Sequence, residues 1–131
     1  MERVTGIGAF AFRARDPQAL KDWYQQYLGI FQGREGHEDE PWWQEAGPTL
    51  FAPFPADTEY FGRPEQMWML NLRVRDLDAM VAQLREAGIE VKVDPEDYPF
   101  GRFARTHDPE GNPIELWQPQ EDTDTLRPTD G

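Results

Sequence analysis

The chain matches itself. "AFRARDPQALKDWYQQYLGI" (residues 11–30) aligns with "NLRVRDLDAMVAQLREAGIE" (residues 71–90) at an offset of 60. Further on, "GPTLFAPF" (47–54) aligns with "NPIELWQP" (112–119) at an offset of 65. In each half an apolar strand-like segment runs into Arg-x-Arg-Asp, then an amphipathic helix pattern, then Gly-Ile, then a short strand-like segment led by Pro. Two repeats are too few for a solenoid, so the halves must complete each other or complete a partner chain.

Local signals predict the elements. Residues 6–14 (GIGAFAFRA) read as a strand, and Asp16-Pro17 supplies an N-cap followed by Pro at the first helical position. Leu20, Trp23, Tyr24, Tyr27 and Leu28 then recur at helical spacing as one apolar stripe, ended by Gly29. Residues 31–41 form a charged, Gly-bearing loop, and strands are predicted at Trp42–Glu45 and Thr49–Pro53. From Phe54 to Gln66 there is Pro, Gly and aromatic content without period, which marks a linker. Met67–Arg75 reads as a strand and Asp76 as a second N-cap. Its helix carries Leu77, Met80, Val81, Leu84 and Ala87 and closes at Gly88. Short strands follow at Ile89–Val93, Arg102–His107 and Pro113–Gln118, the last two joined by the turn signal Asp108-Pro109-Glu110-Gly111-Asn112. Each half is therefore predicted to be βαβββ, with module one at 1–54, the linker at 55–66 and module two at 67–119. Residues 120–131 hold a single Leu as their only apolar side chain and are expected to form a frayed acidic tail.

Composition bounds the partners. Five Trp, four Tyr and eight Phe in 131 residues can furnish a core. The formal charge of −12 argues against nucleic acid or an anionic membrane as partner. No stretch approaches the roughly 20 apolar residues of a membrane span, and no secretory leader is evident, so a cytoplasmic location is expected. Without cysteine there is no thiolate nucleophile or zinc–thiolate site.

The segments "RDPQALKDWYQQYLGI", "VRDLDAMVAQLREAGIEV" and above all "YPFGRFARTHDPEGNPIELWQP" resemble the vicinal oxygen chelate superfamily, the glyoxalase I / bleomycin resistance / extradiol dioxygenase group. The resemblance spans roughly residues 4–119. It implies an α+β fold of two tandem βαβββ modules whose strands form a cup-shaped mixed sheet. It also implies, in metal-using members, a divalent ion held by a His early in the first strand of each module and an acidic residue or His in each last strand. In that pattern the His precedes the helix-opening Asp by seven residues. Counting back from Asp16 and Asp76 reaches Ala9 and Met69, while the last strands offer Leu50 and Glu115. Only Glu115 is a ligand type. A hard divalent cation wants four to six oxygen or nitrogen donors, so the family's metal is not expected, and no other cofactor is implied. The run His37–Glu40 reads as a solvated charge cluster and His107 as a turn residue.

Strand parity predicts what fills the cup. Ala9, Ala11, Arg13 and Arg15 share one face, with Phe10, Phe12 and Ala14 packing under the helix. Met69, Asn71, Arg73 and Arg75 face the cup, as do Glu115 and Trp117, while Leu70, Leu72, Val74, Ile114 and Leu116 pack. Glu115 then needs a stabilising partner, for which Arg13, Arg73 and Arg102 are candidates. Trp42, Trp43, Trp68, Tyr98, Phe100 and Trp117 supply aromatic walls of the kind that line small-molecule sites, and Arg102 beside Gly101 is a candidate rim contact. The resemblance favours a protein that binds a small organic molecule, with a homodimer as the family's habit. Two enzymatic alternatives stand beside it: a metal-dependent lyase, isomerase or dioxygenase with a displaced site, and a metal-free enzyme using Glu115 as general base.

Overall fold

The computed structural model describes residues 1–121 and Arg127. The predicted acidic tail therefore lies largely outside the described residues. Two helices, α1 (Pro17–Leu28) and α2 (Leu77–Glu86), pack on a four-stranded sheet of β1 (Leu70–Arg73), β2 (Lys92–Val93), β3 (Gly101–His107) and β4 (Pro113–Pro119). The strand order is β1-β4-β3-β2, with β1 parallel to β4 and the other pairs antiparallel. Module two is thus a complete βαβββ unit, and the fold class is α+β.

Both helices start as the sequence dictates. Asp16 accepts from Ala19 N at 3.1 Å and Asp76 accepts from Ala79 N at 3.0 Å, each satisfying an otherwise orphaned amide. α1 ends on Gly29 in the left-handed conformation, φ 73°. One core lies between helices and sheet: Leu20 and Tyr24 of α1, Leu77, Val81 and Leu84 of α2, Val91, Ala104, Ile114 and Leu116. Leu70, Leu72 and Val74 pack against it, so the parity assigned to β1 and β4 holds.

Module one behaves differently. Its helix is present, but residues 6–14, 42–45 and 49–53, predicted as strands, run without ladder pairing. A helix closes its hydrogen bonds within itself, whereas a strand needs a neighbour, and these segments find none among the described residues. Phe10 and Phe12 do not pack under a helix: they remain 47% and 37% exposed and cluster with Trp68, at centroid separations of 5.0 and 4.9 Å. The 45–48 turn is held by side chains instead, with Arg73 donating to the carbonyls of Pro48 and Glu45, both at 3.1 Å. Arg75 pairs with the Glu45 carboxylate.

What docks α1 onto module two is the Asp-Pro-Glu-Gly-Asn turn. Asp108, buried, accepts from the Tyr24 hydroxyl (2.7 Å), from Asn112 N (3.0 Å) and Nδ2 (2.8 Å), and from Glu110 N (2.9 Å). The Glu110 carboxylate accepts from the amides of Arg15 (2.7 Å) and Asp16 (3.0 Å), at the entry to α1. Among the described residues no helix is long and apolar enough to cross a membrane.

Candidate functional site

The sheet face turned away from the helices carries the polar and aromatic side chains, and the register sets them in rows. Asn71, Glu115, Arg105 and Lys92 stand side by side across the four strands, and Arg73, Trp117 and Phe103 form the next row. Glu115 is partly buried at the centre of the first row. Its two oxygens are both engaged: Oε1 accepts from Asn71 Nδ2 at 2.8 Å, and Oε2 accepts from the Tyr60 hydroxyl. The partner is thus a phenol and an amide, not one of the arginines proposed from the sequence. Arg73 is committed to the 45–48 turn, Arg102 bridges Asp78 (3.1 Å) and Asp97 (3.2 Å), and Arg13 lies on the exposed N-terminal segment.

Tyr60 reaches this place from the linker, which is ordered by tight turns rather than by regular structure: Thr58 N donates to Pro55 O and Gly62 N to Glu59 O. The Tyr60 ring stacks on Phe54 at 5.6 Å, and the Arg105 guanidinium lies 4.6 Å from its centroid while also donating to the Tyr60 carbonyl. Burial, reinforced by the hydrogen bond to the Glu115 carboxylate, pushes the Tyr60 phenol up to about 12. A cavity of about 330 Å³ opens beside this group, lined by Tyr60, Lys92, Asp94, Phe103, Arg105 and Glu115 among others.

Aromatic side chains gather in and beside the neighbouring row. Trp117 and Phe103 are parallel, with centroids 6.2 Å apart, and Tyr98 stacks on Phe100 at 5.3 Å. Trp117 Nε1 donates to Phe100 O at 2.9 Å, a reach that depends on Gly101. Gly101 sits at φ 135°, and a Cβ there would lie 2.7 Å from Nε1 and 2.2 Å from the Gln118 carbonyl oxygen. Trp42 and Trp43 are both exposed, Trp43 to 87%, and neither lines the cavity. Tyr98 donates at 2.9 Å to Asp94, which lines the cavity.

The sequence missed Tyr60, Arg105, Phe103, Lys92 and Asp94. The β3 pair was within reach, because period-two parity on a strand antiparallel to β4 places Phe103 and Arg105 on the Glu115 face. Tyr60 carried no periodic signal at all. Among the described residues no group of three or more His, Asp or Glu is arranged to hold a metal ion. The donor set left at the family's ligand positions, one carboxylate already hydrogen-bonded by two neutral donors, does not fit a divalent cation.

The architecture agrees with a family match over residues 6–116, to the model of the Glyoxalase/Bleomycin resistance protein/Dioxygenase superfamily. The chain belongs to that superfamily. The chain is similar to the antibiotic binding protein TnmS3 of Streptomyces sp. CB03234. The identity is 28% over 92% of this chain and 100% of that one, with a TM-score of 0.60. A glyoxylase/bleomycin resistance protein/dioxygenase domain from Frankia sp. EAN1pec shares the fold at 17% identity, covering 90% of this chain and 100% of that one, with a TM-score of 0.54. No curated protein matches the chain.

Proposed function

We propose that this protein binds a small organic molecule of the antibiotic type on the Glu115 face of its sheet, without the divalent ion used by catalytic relatives. The observation that carries this reading is Glu115 itself, its oxygens held by Tyr60 and Asn71 beside a cavity that Tyr60 and Phe103 help to line. A carboxylate so engaged orients a bound molecule through hydrogen bonds and is poorly set to coordinate a metal. The likeness to an antibiotic binding protein over nearly the whole of both chains supports the same reading.

A second copy of the chain completes the cup in this proposal. β1 forms an edge of the sheet, and the module-one segments that repeat the sequence of β1 and β4 carry unpaired backbone and exposed Ile7, Phe10, Leu50 and Phe51. Sheet edges and apolar surface of this kind call for a neighbour.

Metal analysis of protein purified without chelator tests the first claim, with substoichiometric metal as the expected result. Stoichiometric iron, manganese, nickel or zinc would overturn it. A thermal-shift screen against planar aromatic antibiotics tests binding. A ligand at a hundredfold excess over its Kd raises the melting temperature by about 10 °C. That shift is expected to survive chelator treatment and to be lost in Glu115→Ala.

A further inference from the structure

Tyr60 stands apart from the other groups around Glu115 because it does not come from the sheet. It arrives on an aperiodic segment, the residue as a whole remains 42% exposed, and its hold on the site consists of the Glu115 hydrogen bond, the Arg105 contacts and the stack on Phe54. Asn71, by contrast, is fixed by β1 at the register position of Glu115. One neutral donor on the carboxylate is therefore fixed by a strand, and the other is carried by an aperiodic segment.

The charges around the cavity say what could replace it. Lys92 and Arg105 are balanced by Asp94 and Glu115 along its lining, so neither an anion nor a cation enters without meeting its own sign. A neutral ring bearing a hydroxyl meets no such opposition. It finds the Arg105 guanidinium for its face, Phe103 for its edge and a carboxylate oxygen for its proton, the three groups that Tyr60 and its surroundings display.

We propose that Tyr60 is an internal stand-in for the ligand. Its phenol occupies the place on Glu115 that a neutral aromatic hydroxyl of the ligand takes, and the 54–66 segment must release it for that ligand to bind. This rests on the binding function proposed above and assigns both a ligand chemistry and a residue that sets affinity. Because the incoming hydroxyl replaces a hydrogen bond already made, its apparent affinity is reduced by the fraction of molecules in which Tyr60 is engaged.

The test uses the full chain with two probes of like shape, 2-naphthol and its methyl ether 2-methoxynaphthalene, followed by calorimetry or ligand fluorescence. The wild type is expected to prefer the naphthol. Tyr60→Phe keeps the ring and removes the competing proton, so it is expected to bind 2-naphthol about tenfold more tightly, the scale of one hydrogen bond to a charged group. Glu115→Ala is expected to abolish the preference for naphthol over ether. Unchanged or weakened naphthol binding by Tyr60→Phe, with native near-ultraviolet circular dichroism, overturns the proposal, as does equal binding of the two probes by the wild type. If an antibiotic still binds in a Glu115-dependent way while Tyr60→Phe leaves it unaffected, the binding function stands and the stand-in falls. If neither antibiotics nor naphthalenes bind, both fall.

Discussion

Glu115 and Tyr60 show how a carboxylate at the centre of a sheet is held by neutral donors, with Tyr60 and Asn71 each hydrogen-bonded to one of its oxygens. Strand parity put Glu115, Asn71 and Trp117 on one face, and the register confirms that placement, since Asn71 pairs with Glu115 and Arg73 with Trp117. Tyr60 was illegible because its position depends on how a segment with no period folds back, which no local pattern encodes. Its titration provides a check. The folded-state phenol is raised to about 12, above its ordinary value near 10, chiefly by burial and then by Glu115. A raised acid contributes stability that is whole below pH 10 and lost as the pH climbs toward 12. Denaturant unfolding across that range is expected to show the loss. Tyr60→Phe should make the loss shallower across that whole range, leaving the contributions of Tyr24, which burial and Asp108 raise still further, and of Tyr98, raised by its hydrogen bond to Asp94.

At the scale of elements, both helices and the four strands of module two were readable, whereas the three strands predicted in module one do not form. Asp16 and Asp76 cap their helices at the positions the sequence marks, because capping is settled within three residues. Alternation in residues 6–14 marks a segment able to join a sheet but cannot supply the strand it joins. The Asp-Pro-Glu-Gly-Asn turn was legible as a turn, yet its larger task was hidden. It fastens α1 to module two through Tyr24, Arg15 and Asp16, residues more than eighty positions away. Asp108→Ala removes the acceptor for four hydrogen bonds and leaves buried donors on Tyr24 and Asn112 unmatched. The expected cost is about 3 kcal/mol or more, against about 1 kcal/mol for Tyr24→Phe, which removes one donor and leaves Asp108 its other partners. Urea unfolding measures both. Equal, small losses would mean that the turn is dispensable for docking α1.

At the scale of the molecule, the repeat poses a problem that a lone chain leaves open. Module two is finished, whereas the segments of module one that repeat it expose Ile7 to 58%, Leu50 to 73% and Phe51 to 86%. Burying side chains of this size is worth roughly 1.5–3 kcal/mol each, so a second copy that takes up these segments gains far more than the scattered apolar residues of an ordinary surface could offer. The opposing force is charge. Each chain carries a formal −12, and two of them repel at low ionic strength. Association through an apolar face against a like-charge field has a definite salt signature, opposite to that of an interface held by ion pairs. Light scattering coupled to size exclusion is therefore expected to show a dimer whose dissociation constant falls as salt rises. Phe51→Asp, a charge placed on the exposed apolar segment, is expected to shift the protein to monomer. The same variant should lose ligand-induced thermal stabilisation, since the cup would then lack its second half. A protein that stays monomeric at every concentration and salt level, or a Phe51→Asp variant that dimerises as well as the wild type, would mean that this surface serves something other than a second copy of the chain.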